Sequence, residues 1–117
     1  MPVRSLTSYV LKWPNKETVD TAVRHWADKM FQDRPEILQI GYFGSYARGD
    51  WGVGSDLDIV VIVERTGKPF EMRACDFDTK ELPVQADVLV YTQDEWQATF
   101  DQRTFSKTLS AEVVWIY

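Results

Sequence analysis

Cysteine and histidine are almost missing from these 117 residues: Cys75 and His25 each occur once. A single thiol cannot close an internal disulfide, and one thiol with one imidazole is no cluster for zinc. Basic residues are in deficit too, with 13 Lys and Arg against 18 Asp and Glu and a net charge of -5. Long nucleic acid needs a basic stripe to neutralise its phosphates, so it is not the expected partner; a compact ligand carrying a few phosphates is compatible. Long apolar runs are absent as well. None exceeds Ile59 to Val63, far short of the ~20 residues that span a bilayer, so no membrane segment is expected. Met1 to Trp13 has no continuous apolar core of the kind a secretory signal uses, and the expected location is the cytoplasm. What the chain does have is 44% apolar and 14% aromatic residues, enough for one hydrophobic core, so one domain is expected over residues 1–117.

From Lys16 to Phe31, the residues Val19, Ala22, Val23, Trp26, Ala27, Met30 and Phe31 recur at three- and four-residue steps and share one helical face. Asn15 is a suitable N-cap, and Pro35 disfavours helical backbone at Arg34. Three β-rich runs follow: Glu36 to Phe43, Asp56 to Glu64 and Val84 to Tyr91. Between the last two, Arg65 to Pro83 has room for one helix. Thr92 can cap one or two helices over Gln93 to Leu109, and Val113 to Tyr117 reads as a short β-rich tail. This order implies an α/β (α+β) fold in which helices pack on one small mixed sheet.

Gly41 to Asp58 holds five of the chain's six glycines, two serines, one arginine and three aspartates. A plain connection between strands needs no such density. Alternation puts Asp56, Asp58, Val60 and Ile62 on one face of their strand, with the two carboxylates about 7 Å apart at Cα, and Leu57, Ile59, Val61 and Val63 on the other. Asp87 shares a face with Gln85 and Leu89 in an otherwise apolar run, where a lone carboxylate is costly to bury unless a cation pairs with it. If these two strands are neighbours, ~4.8 Å apart, the three acids converge and their repulsion calls for metal ions. Oxygen ligands without a His or Cys cluster suit Mg²⁺ or Mn²⁺. Gly44-Ser45 after a strand lets backbone N–H groups approach an anion, phosphate above all. Ser45 can add its hydroxyl and Arg48, one helical turn on, a charge-assisted bond. Neither GxGxxG nor a Walker A sequence is present.

Gly44-Ser45, ten residues, then Asp56-Leu57-Asp58 resembles the GS-x10-DxD signature of the DNA polymerase β-like nucleotidyltransferase superfamily. Gly44-Ser-Tyr-Ala-Arg-Gly49 is similar to the GSxARG form of its minimal, stand-alone members. The resemblance extends over most of the chain. It implies the polymerase β-like fold and a metal-dependent enzyme that moves an NMP, AMP from ATP, to an acceptor hydroxyl. It further implies that Asp56 and Asp58 hold two divalent ions, Mg²⁺ or Mn²⁺, and that Asp87 completes one ion's shell and helps activate the acceptor. Gly44, Ser45 and Arg48 would hold the triphosphate. Larger members carry extra domains that grip template, tRNA or antibiotic, and 117 residues leave no room for one. A second protein is therefore implied, and minimal members are commonly paired with small all-helical HEPN proteins in toxin-antitoxin pairs.

Two other functions could use the same scaffold: a non-catalytic antitoxin that masks a helical toxin, and a nucleotide-binding regulatory module. The intact acid triad favours the enzyme, because binding alone has no need of Asp87. The base, the acceptor and the oligomeric state stay open in the sequence, a homo-oligomer included. Asp76 and Asp78 lack a following apolar strand and read as loop charges. His25 reads as a surface residue, Cys75 as incidental, and Arg73 and Lys80 as solvated bases. Trp51 in the glycine-rich loop is a candidate to stack a base, while Trp96, Phe100, Phe105 and Trp115 are candidates for partner anchors or for the core.

Overall fold

A computed structural model describes residues 14–49, 52, 54, 56–102 and 112–117. Its first helix, α1 (Lys16–Asp33), starts at the expected cap, where Asn15 Oδ1 accepts from Thr18 N–H at 2.9 Å. Arg34, ahead of Pro35, has left helical backbone. The apolar stripe turns inward, with Val19, Val23, Trp26 and Ala27 fully buried. Trp26 also donates its indole N–H to Asp78 O at 2.8 Å, which satisfies its polar edge inside the core.

Among the described residues four strands form one sheet: β1 (Ile37–Phe43), β2 (Leu57–Val63), β3 (Ala86–Thr92) and the short β4 (Val114–Trp115), in the order β3-β2-β1-β4. β1 is antiparallel to β2 and β4, whereas β2 and β3 are parallel, so the sheet is mixed. Further helices among the described residues include α2 (Ser45–Arg48), α3 (Phe70–Arg73) and α4 (Gln93–Gln102). Side-chain alternation divides the interior as expected. Leu57, Ile59, Val61 and Val63 join Ile40, Tyr42 and the buried face of α1 in the main core. Val60 and Ile62 face the other way and meet Trp96 of α4, with Phe43, Tyr91 and Trp115 around them. Asp58 and Asp87 share that second face, at the opposite end of their strands.

The strand boundaries differ slightly from the sequence reading. β2 begins at Leu57, whose N–H donates to Gln85 O at 2.8 Å, so Asp56 stands just ahead of the ladder. Val84 is buried in the core before β3 starts. The crossover holds two short pieces, α3 and a 3-10 turn over Ala74–Asp76. α4 is capped by Thr92 and Glu95 reciprocally: Thr92 N–H donates to Glu95 Oε1 at 2.8 Å, and Glu95 N–H to Thr92 Oγ1 at 3.1 Å. The expected helical stretch beyond residue 102 and the first thirteen residues lie outside the described residues.

Arg73 is the main correction. Far from solvated, it is 8% exposed and grips Glu95 with two nitrogens at 2.6 and 3.0 Å. It also donates to Lys68 O at 2.9 Å and Val90 O at 3.1 Å, tying the crossover to the far end of β3. An unpaired guanidinium could not be buried there, and Glu95, held by its cap, is what makes burial possible. Among the described residues no helix is long and apolar enough to cross a membrane.

Candidate active site

Strand register fixes the centre of the site. Phe43 on β1 pairs with Asp58 on β2, and Asp58 pairs with Asp87 on β3. The two carboxylates thus project from directly adjacent positions, ~4.8 Å apart by strand spacing, since the two strands are indeed neighbours. Asp56 lies two residues earlier and is exposed. The Asp58 carboxyl is pushed above the usual carboxylate range, first by burial and then by the charges of Asp87 and Asp56, with Arg48 pulling the other way.

Gly44 follows Phe43 and turns the chain at φ +84, in the left-handed region. A Cβ on it would need the space that Asp58 Oδ2 fills. Both conditions select glycine. α2 is then a single helical turn closed by Gly49 at φ +88, whose N–H donates to Ser45 O at 2.9 Å. Tyr46 anchors it from below, fully buried and donating its hydroxyl to Pro14 O at 3.2 Å. Ser45 is half-buried on the turn, and Arg48 is exposed and paired with Glu112 at 3.1 Å. The turn carrying Gly44, Ser45 and Arg48 is therefore joined directly to the acid pair, with Asp56 at its margin.

A cleft of about 520 Å³ opens beside the acids, lined by Phe43, Asp58, Asp87 and Leu89 of the sheet and by Phe77 and Thr79 of the crossover. Sequence reasoning missed Phe77, Thr79 and Glu112. Each arrives from a segment whose path is defined only by the folded chain, and no local pattern marks it. The C-terminal segment packs against β1. A Cβ on Gly41 would stand 2.6 Å from Val113 Cγ1 and 2.9 Å from Trp115 Cε3, so this glycine admits the tail against β1. Trp96 belongs to the core, 7% exposed and edge-on to Trp115 at 5.9 Å. Asp76 pairs with Lys68 at 2.6 Å, away from the site, and His25 and Cys75 are exposed. Trp51 and Phe105 lie outside the described residues.

In its chemistry the donor set fits a hard divalent cation. Its side-chain donors are carboxylate oxygens, and the crowding of charge that raises Asp58 is what a cation would relieve. In its geometry the set is open. Among the described residues no three His, Cys, Asp or Glu side chains are gathered into a ligating group.

A glycine-serine turn set against register-paired acids, on a small mixed sheet backed by helices, defines the class as a nucleotidyltransferase-type α/β domain. Over residues 26–110 the chain matches the model of the nucleotidyltransferase domain family, and it belongs to that family. Among solved structures, a candidate nucleotidyltransferase from Sulfolobus solfataricus matches with a TM-score of 0.62 at 17% identity, over 86% of this chain and 80% of that one. A toxin-antitoxin structure with AMP-PNP matches with a TM-score of 0.50 at 19% identity, over 80% of this chain and 72% of that one. These two likenesses speak for the fold. No curated protein sequence matches significantly.

Proposed function

We propose that the chain is a metal-dependent nucleotidyltransferase of the cytoplasm that moves AMP from ATP to a hydroxyl on a small helical partner of the HEPN type, within a toxin-antitoxin pair. The observation that carries this reading is the direct fit of the Gly44 turn against Asp58, itself beside Asp87. Gly44 and Ser45 offer backbone N–H groups, and Arg48 its guanidinium, to the triphosphate. Asp56, Asp58 and Asp87 would hold two Mg²⁺ or Mn²⁺ ions, which when bound neutralise the triphosphate and polarise its α-phosphate. Asp87, on the cleft side, orients the acceptor hydroxyl and takes its proton. The hydroxyl oxygen bonds to the α-phosphorus, the bond to the β-bridging oxygen breaks, and pyrophosphate leaves with that electron pair. A net charge of -5 favours a protein acceptor over a polynucleotide, and the toxin-antitoxin neighbour supports a protein partner.

Calorimetry tests the site: ATP should bind with Mg²⁺ and at least tenfold more weakly in EDTA. Equal affinity with and without metal would remove the reading. A co-purified partner incubated with Mg-ATP should gain ~329 Da per AMP, the mass left on an acceptor after pyrophosphate release. Asp58→Ala should abolish that gain while the complex still forms. A partner that stays unmodified, and is silenced equally by wild type and Asp58→Ala, would make the chain a masking antitoxin.

A further inference from the structure

β3 ends the sheet among the described residues, and its outer edge opens into the cleft. The bond from Leu57 N–H to Gln85 O fixes the parity of the parallel ladder. Gln85, Asp87, Leu89 and Tyr91 turn their backbone groups toward β2, while Ala86, Val88, Val90 and Thr92 turn theirs outward. Toward the far end the outward groups are guarded. Val90 O accepts from Arg73 Nη1 at 3.1 Å, and Thr92 N–H donates to Glu95 Oε1 at 2.8 Å. The outward groups of Ala86 and Val88 have no hydrogen-bond partner among the described residues, and both residues line the cleft beside Asp58 and Asp87. Native sheets normally blunt such an edge with charge, proline or a covering element. Here the guard stops where the acids begin.

We propose that the acceptor hydroxyl is carried on an extended polypeptide segment that pairs with the Ala86–Val88 edge of β3. The proposal rests on the nucleotidyl-transfer reading and deepens it. Strand addition supplies the positioning that transfer requires, because a side chain opposite Asp87 on an added strand lies on the Asp87 face, over the acid pair. Backbone pairing selects an extended segment with a hydroxyl at the right step and makes little demand on the rest of its sequence. The carboxylates beside this edge repel a polyanion, so a polypeptide is the favoured strand.

The probe is a capped eight-residue peptide of alternating valine and threonine, with a central tyrosine and lysine ends. In the free protein the Val88 amide should exchange with solvent quickly, while the Asp87 and Leu89 amides, inside the ladder, stay protected. Millimolar peptide should slow Val88 exchange at least tenfold. With Mg-ATP the tyrosine should be adenylylated. Methylating the three central peptide amides, or introducing Ala86→Pro, should cut labelling at least tenfold while ATP affinity is unchanged. Ala86 opens β3 and its N–H points away from β2, so proline removes an outward donor and leaves the ladder intact. Labelling that ignores both changes overturns the proposal, as does a Val88 amide unprotected at millimolar peptide, or transfer to an RNA oligonucleotide alone. Val88 protection without ATP binding is the distinct signature of a failed enzymatic reading, and it removes the acceptor role with it.

Discussion

Asp58 Oδ2 lies where a side chain on Gly44 would have to begin, so the turn and the central acid are fitted into one another. The cause is register: Phe43 sits opposite Asp58, and the chain must turn away at the next residue, at φ +84. Gly44→Ala should therefore cost twice, roughly 1–3 kcal/mol for a backbone conformation that is essentially open to glycine alone and more for displacing the carboxylate. Gly49→Ala, at φ +88 with open space around its Cβ, should cost about 1 kcal/mol and keep the transfer activity. Thermal unfolding and pyrophosphate release, measured on both variants, check the contrast. Equal losses would deprive the Gly44–Asp58 fit of its special role.

Asp58 leads to a prediction of opposite sign for stability and activity. Its carboxyl titrates higher in the folded chain than the usual aspartate value of 3.8. Its contribution to stability is thus most favourable below 3.8 and is lost as pH rises through the raised folded value. Asp58→Asn removes the charge that burial, Asp87 and Asp56 oppose. Without metal at pH 7 its melting temperature should stay level or rise by a few degrees, while transfer falls at least a hundredfold. A clear loss of metal-free stability would mean that the Asp58 charge is satisfied in some other way.

Periodicity made much of this legible in the sequence. The stripe from Val19 to Phe31 and the alternation at Asp58 and Asp87 depend on local geometry alone, and the structure follows both. Gly44-Ser45 was legible for the same reason, since a close approach and a positive φ leave little choice of residue. What the sequence hid depends on distant segments meeting. Arg73 looked like any surface base because its partner Glu95 is 22 residues away. Phe77 and Thr79 line the cleft from a stretch without regular structure, and Glu112 meets Arg48 from 64 residues away, so no local periodic signal marks any of them. The strand starts were off by one or two residues because hydrogen-bond register, and not side-chain type, decides where a ladder begins.

Glu112 competes for the cation proposed to hold the triphosphate. Arg48 pairs with it at 3.1 Å, both side chains being partly exposed. Such a pair is weak, at about 0–1 kcal/mol, so a triphosphate can displace it at small cost. Glu112→Ala should strengthen Mg-ATP binding about two- to fivefold, and Arg48→Ala should weaken it about tenfold or more. Calorimetry on the two variants separates the effects. Unchanged affinity in Arg48→Ala would take that residue out of the nucleotide site.

The Arg73–Glu95 pair makes a pH prediction that leaves the active site alone. The Arg73 guanidinium, bonded to both Glu95 oxygens, draws the Glu95 carboxyl from 4.5 down to about 2 against the opposing effect of burial, with Thr92 helping. A depressed carboxylate contributes stability above its unfolded value and loses it as pH falls through its folded one, here between 4.5 and about 2. Glu95→Gln should flatten the acid limb over that interval. Breaking a buried pair costs roughly 3–5 kcal/mol, but the Glu95 side chain is 43% exposed, so about 1–3 kcal/mol is expected at pH 7. Arg73→Lys keeps the charge yet loses the two-pronged grip and the bond to Val90 O, and about 1–2 kcal/mol should go with them. Denaturant unfolding at pH 7 and pH 3 measures both variants. The gap between wild type and Glu95→Gln should narrow at the lower pH, while Mg-ATP affinity at pH 7 stays at the wild-type value, because the strut holds the far end of β3. A gap of constant size across that range would show that the carboxylate charge is not what Arg73 depends on.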